Sequence, residues 1–333
     1  MTYADTATLA SERDTLLRRA GLVDRSERGK LALTGAEAIE FLNGQITNEL
    51  TDLRAGEGRY AAFLTHKGRM LGDLRVLAVG DERGAQPREL LLDTERVALQ
   101  ALFDMIRRFK VGYRVELHKR TVESAMLSLI GPQSLQIAGA EPVLGGADEH
   151  ANTALEVDGV RALAVHTGVG VDLLCASEDG QALAEALAAR GAQRVSDAAA
   201  ECVRIERGVP RYGVDLDDSV IPQEAGLNER AVSFTKGCYV GQETVARLYY
   251  KGTPKRHLRG LLAPEPLAIG AGVALDGREL GTVTSAALAP ALGPIGLALL
   301  RKQAAPGMVV QLSSGGEATV VELPFKEPGA APG

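Results

Sequence analysis

The chain of 333 residues is 45% hydrophobic, which is enough to bury a large core and suggests two or three domains. Its 43 acidic residues exceed its 37 basic ones, and the net charge of −6 argues against a general nucleic-acid-binding protein. The polar N-terminal stretch through Arg19 lacks a secretory signal, and no apolar run reaches membrane-spanning length. We therefore expect a cytoplasmic protein with reduced thiols and no membrane partner.

The first third of the chain alternates short apolar runs with amphipathic ones, which is typical of an α/β or α+β domain. Thr34 is placed to cap a helix that ends near Phe41, and Thr94 is placed to open a helix over 95–108. The runs with strand character lie at 60–64, 71–79, 89–92, 115–118 and 125–130.

A second cycle of similar order follows Gly131. A surface loop at 145–152 is expected between the two cycles. The second cycle comprises a short helix, strands near 161–166 and 171–175, and a helix over 177–190. Two such cycles predict two related lobes of the split βαβ type.

Residues after Pro254 change character, because short strand-like runs broken by glycine and proline leave no long helical pattern. A small antiparallel barrel or sandwich is predicted here. The runs lie at 258–262, 272–275, 281–287, 296–300, 308–312 and 318–323. With the junction near 251–254, the expected units are a first domain over 12–250, a barrel over 255–323 and a disordered tail over 324–333.

The cysteines and acidic clusters do not indicate a metal site. Cys175 lies in a run typical of a buried strand and Cys202 in a helical run, so both are expected in the core. Their spacing matches no metal-binding pattern. Asp215, Asp217 and Asp218 lack the glycine and the glutamate that a calcium loop requires, and they are predicted to form a solvated acidic turn.

Polar chemistry is concentrated around the third cysteine. Cys238 follows Lys236 and precedes a predicted helix over 240–250, and an ammonium and a helix N-terminus both stabilise a thiolate. Glu243 and Arg247 lie one turn apart on that helix. These features predict a reactive thiol, and the plain alternative is an inert cysteine in a structural turn.

The residues from Lys236 to Arg247 read Lys-Gly-Cys-Tyr-x-Gly-Gln-Glu-x-x-x-Arg, and this pattern resembles the signature of the YgfZ-type folate-binding proteins. Those proteins are relatives of the aminomethyltransferase (T-protein) of glycine cleavage, and they are implicated in the maturation or repair of iron–sulfur enzymes. The segments 204–210, 212–216 and 221–224 resemble, in the right order, the stretch that precedes the signature in the wider T-protein family.

The resemblance implies a fold and a ligand. The fold is α+β, with two interleaved ferredoxin-like (split βαβ) lobes and a C-terminal antiparallel β-barrel around a central folate-binding channel. The implied cofactor is tetrahydrofolate or a one-carbon derivative of it.

The resemblance also implies site residues. Glu224 matches the T-protein glutamate that contacts the pterin, whose edge offers two donors to one carboxylate. Its alternative is a solvated loop carboxylate. Tyr212 matches a tyrosine near the same pocket. Asp73 stands where T-proteins carry two adjacent aspartates; the missing one argues against aminomethyl transfer, and Asp73 itself could simply face solvent.

Cations are frequent between Arg247 and Arg259, with Tyr249 and Tyr250 among them. The stretch predicts either a site for the carboxylates of a polyglutamylated folate tail or an exposed basic linker. Nucleic acid ranks below the folate tail because the chain is acidic overall.

We therefore predict a tetrahydrofolate-binding protein that supports the assembly or repair of iron–sulfur enzymes, with folate and iron–sulfur client or assembly proteins as partners. One alternative is a folate-dependent aminomethyl (one-carbon) transferase like the T-protein, with a lipoyl-carrier partner. A second is a thiol-dependent redox factor in which the folate fold is vestigial. The residues assigned to the site are Cys238 and Lys236 for the chemistry, and Glu224, Tyr212, Asp73, Arg247 and Glu243 for the cofactor.

Overall fold

The computed structural model describes residues 3–326. Its helices are α1 (Tyr3–Arg18), α2 (Ala38–Asn43), α3 (Leu99–Phe109), α4 (Ser134–Ala138), α5 (Glu141–Leu144), α6 (Gly180–Ala189), α7 (Asp197–Glu206), α8 (Asn228–Ala231) and α9 (Gln242–Lys251). Its strands are β1 (Gly21–Asp24), β2 (Gly29–Thr34), β3 (Gly58–Leu64), β4 (Met70–Val79), β5 (Glu89–Thr94), β6 (Glu116–Lys119), β7 (Ser124–Ile130), β8 (Asn152–Val157), β9 (Val160–Thr167), β10 (Gly170–Ala176), β11 (Gln193–Arg194), β12 (Arg256–Leu262), β13 (Gly272–Leu275), β14 (Arg278–Ala289), β15 (Gly293–Arg301), β16 (Val309–Leu312) and β17 (Glu317–Val321). Within this part of the chain, no helix combines the length and the apolar character needed to cross a bilayer.

The first sheet is antiparallel and has the order β3–β4–β5–β2–β6. Phe41 of α2 and Ile106 of α3 share one core cluster with Phe63 of β3. Side chains alternate along a strand, so Asp73 and Arg75 of β4 project from the face opposite to their buried apolar neighbours. The first sheet thereby turns polar groups toward the rest of the molecule.

The second sheet has the order β11–β1–β7–β10–β9–β8. Strand β1 comes from the start of the chain yet pairs with β7 and β11, whereas β2 belongs to the first sheet. The two lobes are therefore interleaved, as predicted. Leu77 of β4 packs with Met126 and Leu174 of the second sheet, so the two sheets share a small core.

The strands predicted in both cycles are present, but β1, β2, β8 and β11 were not predicted, and both threonine caps are wrong. Thr34 is the last residue of β2 and its hydroxyl bonds His118 Nε2 at 2.8 Å. Thr94 ends β5 and donates to the Asp73 carbonyl at 2.5 Å. A β-branched side chain suits a strand, and cross-strand partners satisfy these hydroxyls.

The six C-terminal strands close into an antiparallel barrel in the order β12–β15–β14–β13–β16–β17, which confirms the predicted barrel. Its apolar interior includes Leu261, Val283 and Leu300. A second cluster joins Cys202 of α7 to Ile295 of β15, so α7 is the element on which the barrel packs.

The predicted disordered tail begins too early. The Phe325 backbone amide donates to the Glu206 carbonyl at 2.9 Å, and the Phe325 ring packs against the cluster that contains Cys202. The remainder of that predicted tail, residues 327–333, lies outside the described residues.

Candidate functional site

A cavity of about 290 Å³, lined by many charged residues, lies between the two sheets and the segment that follows α7. Arginines outnumber carboxylates along its wall. The side chains that matter for its chemistry include Arg28, Tyr60, Asp73, His150, Arg207 and Arg230. We refer to it below as the central cavity.

Asp73 is the predicted site residue that the structure places in the central cavity. The residue is 93% buried, which excludes the solvent-facing alternative, and its carboxylate accepts a hydrogen bond of 2.5 Å from the Tyr60 hydroxyl. Burial raises the pKa of Asp73, and the bond from Tyr60 and the charge of Arg28 oppose that rise. The arrangement creates a carboxyl group that holds a proton more readily than an exposed aspartate.

A buried ion-pair network supports this wall. Asp93 accepts from Arg28 Nε at 2.8 Å and from Arg75 Nε at 2.6 Å. Arg75 also donates to Asp172 at 2.6 Å, so it bridges the two sheets. Burial alone would raise the pKa of Asp93, but the two arginines lower it to about 2. The cavity wall is therefore held in place by charges that compensate one another.

A second ion pair lines the cavity and joins the loop that precedes β8 to α8. Arg230 of α8 donates to both carboxylate oxygens of Glu149, at 2.9 and 3.0 Å. The same guanidinium lies 5.4 Å from the centre of the Tyr60 ring. Sequence reasoning missed Tyr60, Arg230 and Glu149, because no motif marks them and three separate segments contribute them.

Glu224 does not line the central cavity. Its carboxylate accepts from Arg256 Nη2 at 2.8 Å and from Arg256 Nε at 3.1 Å. It lines a pocket of about 390 Å³ that shares Arg207, Val209 and Arg230 with the central cavity. Glu224 is 93% buried, so the solvated-loop alternative is wrong, and its carboxylate joins the first domain to β12.

Tyr212 is a core residue. It is 9% exposed, its hydroxyl donates to the Met70 carbonyl at 3.4 Å, and burial raises its pKa to about 12. It lies in the core cluster of the first sheet and does not line the central cavity.

The sequence suggested that the Lys236 ammonium acts on the Cys238 thiol, but in the structure Lys236 has other partners. Its ammonium donates to the carbonyl oxygens of Asn43, Ile46 and Asn48 at 2.7, 2.9 and 2.6 Å. An ammonium has three donors, so none remains for Cys238. Burial lowers the pKa of Lys236 to about 8, with Glu49 opposing. The lysine anchors the loop from inside.

Cys238 lies on the exposed side of that loop, ahead of α9. The loop packs tightly against the turn between β3 and β4. Gly241 has φ 87°, and a Cβ there would lie 2.6 Å from the carbonyl oxygen of Thr65. The second glycine of the signature is therefore required by both conformation and space.

Glu243 and Arg247 lie on the exposed face of α9, and neither lines the central cavity. Because they project outward, their predicted role in folate binding has no support from their position. The exposed thiol and these two side chains instead lie on the outer surface of the protein.

The predicted acidic turn is only partly solvated. Asp217 and Asp218 are exposed, but Asp215 is 4% exposed and accepts from Arg204 at 2.7 Å and from Ser285 at 2.6 Å. The turn thus ties the first domain to β14. In residues 3–326, no three or more His, Cys, Asp or Glu side chains are grouped to hold a metal ion.

The basic stretch at the junction is also partly structural. Arg256 is paired with Glu224, and His257 and Arg259 line the pocket beside the central cavity. Lys251 and Lys255 are exposed, as a basic linker would be.

Two family descriptions match this chain. The GCVT N-terminal domain covers residues 2–236, and the glycine cleavage T-protein C-terminal barrel domain covers residues 256–326. An aminomethyltransferase of Geobacillus kaustophilus is 31% identical over 96% of this chain and 90% of its own length. One from Streptomyces avermitilis is 32% identical over 95% of this chain and 89% of its own length.

A solved structure shows the same fold. The glycine cleavage system aminomethyltransferase T of Bartonella henselae superposes with a TM-score of 0.83, covering 96% of this chain and 90% of that one. The two sequences are 24% identical. The interleaved lobes and the barrel are therefore the architecture of that protein as well.

Proposed function

This chain belongs to the glycine cleavage T-protein family of aminomethyltransferases, and we propose that it binds tetrahydrofolate in the central cavity as a folate-dependent one-carbon transferase. The observation that carries this proposal is the buried Asp73 carboxyl group, held by Tyr60 at the cavity wall. The resemblance to YgfZ-type proteins defines a second candidate, treated below.

The residues present fit the proposed cofactor. The central cavity and the pocket beside it have volumes of about 290 and 390 Å³ and share lining residues, which suits an elongated ligand. Arg207 lines both spaces and would attract the carboxylates of the folate tail, whereas Arg230 is already paired with Glu149. Asp73 would face the heterocycle. Tetrahydrofolate supplies the nitrogen atoms that carry a one-carbon unit.

The chain's own groups would prepare the site for that chemistry. Tyr60 orients the Asp73 carboxyl group through its hydrogen bond. The raised pKa lets Asp73 hold or release a proton closer to neutral pH than an exposed aspartate. The network around Asp93 keeps the wall rigid, so that the carboxyl group is positioned before the ligand arrives.

Anaerobic calorimetry with tetrahydrofolate tests the proposal. We expect micromolar binding that weakens in Asp73→Asn and is unchanged in Asp81→Asn, a control at an exposed surface pair. Transfer is tested with an aminomethylated lipoyl-carrier protein, by following ammonia release and formation of the folate one-carbon product. Absence of tetrahydrofolate binding by the wild-type protein overturns the proposal.

The second candidate is a YgfZ-type role in supporting iron–sulfur enzymes, and the exposed Cys238 is the observation that favours it. Lys236 and Gly241 fix the loop so that the thiol is presented outward, where a client or assembly protein would reach it. In cells that lack this protein, wild type and Cys238→Ser are compared for restored activity of iron–sulfur enzymes. Full restoration by a stable Cys238→Ser protein removes this candidate, whereas loss without a change in folate affinity supports it.

A further inference from the structure

Glu95 brings a second carboxylate to the part of the central cavity that holds Asp73. It follows β5 directly, and the hydroxyl of the preceding Thr94 donates to the Asp73 carbonyl at 2.5 Å. The Glu95 side chain lines the cavity together with Asp73, and 23% of its surface is exposed. A ligand that enters the cavity can therefore reach this carboxylate.

One oxygen of the Glu95 carboxylate is already bonded and the other is not. Arg28 donates to Oε1 through its Nη1. Oε2 accepts no hydrogen bond from the described part of the chain, and it is not among the polar atoms that are buried there without a partner. An ionised carboxylate has about four acceptor positions on its two oxygens. Glu95 thus retains accessible acceptor capacity while Arg28 holds it in place.

The other carboxylates of the central cavity are less suited to accept from a ligand. Both oxygens of Asp172 accept hydrogen bonds within the protein, and so do both oxygens of Glu149. Burial raises the pKa of Asp73, and the charge of Glu95 adds to this rise, so Asp73 tends toward its protonated form. Glu27 lies in the exposed turn before β2. Glu95 is the half-buried carboxylate with an unused oxygen.

This acceptor matches one edge of the folate heterocycle. The pterin carries an exocyclic amine beside a ring nitrogen, and this edge presents two donors to a carboxylate. Hydrogen bonds to an ionised acceptor are shorter and stronger than those between neutral groups. A protonated Asp73 is a weaker acceptor, so the ionised Glu95 is the better partner for this edge.

We propose that Glu95 is a ligand-contacting residue of the central cavity and that its Oε2 accepts the donor edge of the folate heterocycle. This inference rests on the proposed folate binding, with the heterocycle near Asp73. Glu95 then selects rings that carry the exocyclic amine, and Asp73 is left to hold or release a proton. Arg28 is a positioning residue that orients Glu95 through Oε1.

The experiment combines two variants of Glu95 with two ligands. Glu95→Gln removes the charge and keeps the shape, and Arg28 retains its bond of 2.8 Å to Asp93, which favours a folded variant. Glu95→Asp keeps the charge and withdraws the carboxylate by one methylene group. Glu27→Gln is the control, because it removes the same charge from an exposed residue that also lines the cavity. Anaerobic calorimetry measures binding of tetrahydrofolate and of an analogue with methyl in place of the exocyclic amine.

We expect Glu95→Gln and Glu95→Asp each to weaken tetrahydrofolate binding about tenfold, and Glu27→Gln to change it less than about twofold. The wild type should bind the methyl analogue about tenfold more weakly than tetrahydrofolate, and the two Glu95 variants should lose little further affinity for this analogue.

Three results overturn the contact and leave the proposed function standing, provided that the wild type binds tetrahydrofolate. The first is unchanged affinity in the Glu95 variants. The second is the same loss for both ligands, and the third is an equal loss in Glu27→Gln. No binding of tetrahydrofolate by the wild type overturns the proposed function and this inference with it.

Discussion

The Lys236 ammonium donates to the carbonyl oxygen of Asn48 at 2.6 Å, and this contact joins the loop that carries Cys238 to the turn after α2. The Asn48 side chain in turn donates to the Tyr60 carbonyl at 2.8 Å, on the strand whose tyrosine holds Asp73. The signature loop and the cavity wall are therefore linked by consecutive hydrogen bonds. Lys236 acts in this arrangement as a positioning residue, one that does not touch the thiol.

Cys238 should be alkylated near neutral pH well before the other two cysteines. It is exposed, whereas burial raises the pKa of Cys175 to about 11 and that of Cys202 to about 12, which disfavours their thiolates. Peptide mass spectrometry after a timed pulse of alkylating reagent measures the order in which the three cysteines are labelled. Equal labelling of all three cysteines in the folded protein contradicts it.

The variant Lys236→Met tests whether the lysine stabilises the loop or activates the Cys238 thiol. Three buried or partly buried carbonyl oxygens lose their donor, so the free energy of unfolding should fall by about 1–3 kcal/mol. The labelling rate of Cys238 in the folded variant should change little. A much slower rate would show that the ammonium does activate the thiol.

Asp93→Asn should destabilise the protein by about 3–5 kcal/mol in urea unfolding, because Arg28 and Arg75 are left buried without their charge partner. Asp81→Asn, at an exposed pair with Arg88, is the control and should cost less than about 1 kcal/mol. Similar losses in the two variants would mean that the network does not hold the cavity wall.

The Asp93 carboxylate should also make the free energy of unfolding depend on pH. Its pKa is lowered in the folded state from 3.8 to about 2, so its contribution is fully present above pH 3.8 and is lost as pH falls toward 2. This shift of the Asp93 pKa contributes about 2 kcal/mol to the free energy of unfolding. Unfolding free energies measured across this window should therefore fall less steeply with acid in Asp93→Asn than in the wild type.

Glu224→Ala tests the opposite orientation, which the family resemblance implies, with the pterin in the pocket beside the central cavity; in that orientation the variant should weaken tetrahydrofolate binding about ten- to a hundredfold. Arg256→Met is the matched variant, since it breaks the same ion pair and keeps the carboxylate. Calorimetry should then show a large loss for Glu224→Ala and a small one for Arg256→Met. Equal losses would assign Glu224 to the contact with the barrel and remove it from the folate site.

Local patterns in the sequence predicted the elements well. The six barrel strands and the helix after Cys238 were found, because apolar alternation and glycine breaks are visible within a few residues. Thr34 and Thr94 failed as caps because a threonine that ends a strand looks the same in sequence as one that begins a helix. Such ambiguity is resolved by pairing with β5, β6 and β4, which is not local.

The site was predicted less well, because its contacts join distant parts of the chain. Lys236 bonds carbonyl groups about 190 positions earlier, and Arg230 pairs with Glu149 81 positions earlier. Spacing along the chain carries no information about such partners. Asp73 was found through the family resemblance, whereas Tyr60, which bonds it, has no motif of its own.

Limited trypsin digestion should first cut near the junction of the two proposed domains, after Lys251 or Lys255. Both lysines are exposed, and Lys251 ends α9 just before the barrel strand that starts at Arg256. Mass spectrometry of the early fragments locates the cut, and tetrahydrofolate should slow it if the ligand spans both spaces. A first cut after Arg83, in the exposed turn between β4 and β5, would place the weak point elsewhere and count against the proposed domain limits.

Tetrahydrofolate affinity and transfer rate should each depend on pH, and Tyr60→Phe should move the acidic limb of these profiles to higher pH. The Tyr60 hydroxyl stabilises the ionised form of Asp73 and so lowers its pKa; once it is removed, burial acts with less opposition and the pKa rises further. A hydrogen bond to a charged group contributes about 1.5–3 kcal/mol, which corresponds to a shift of about one to two pH units.

The position of the acidic limb is measured from tetrahydrofolate affinity and from transfer rate, each followed from acid to neutral pH, and Asp73→Asn should abolish this limb. Tyr113→Phe is the control, since Tyr113 is 41% exposed and lies outside the central cavity. A folded Tyr60→Phe protein with the wild-type profile would show that Asp73 does not titrate in the reaction, and the proposed proton-holding role of its carboxyl group would then be withdrawn.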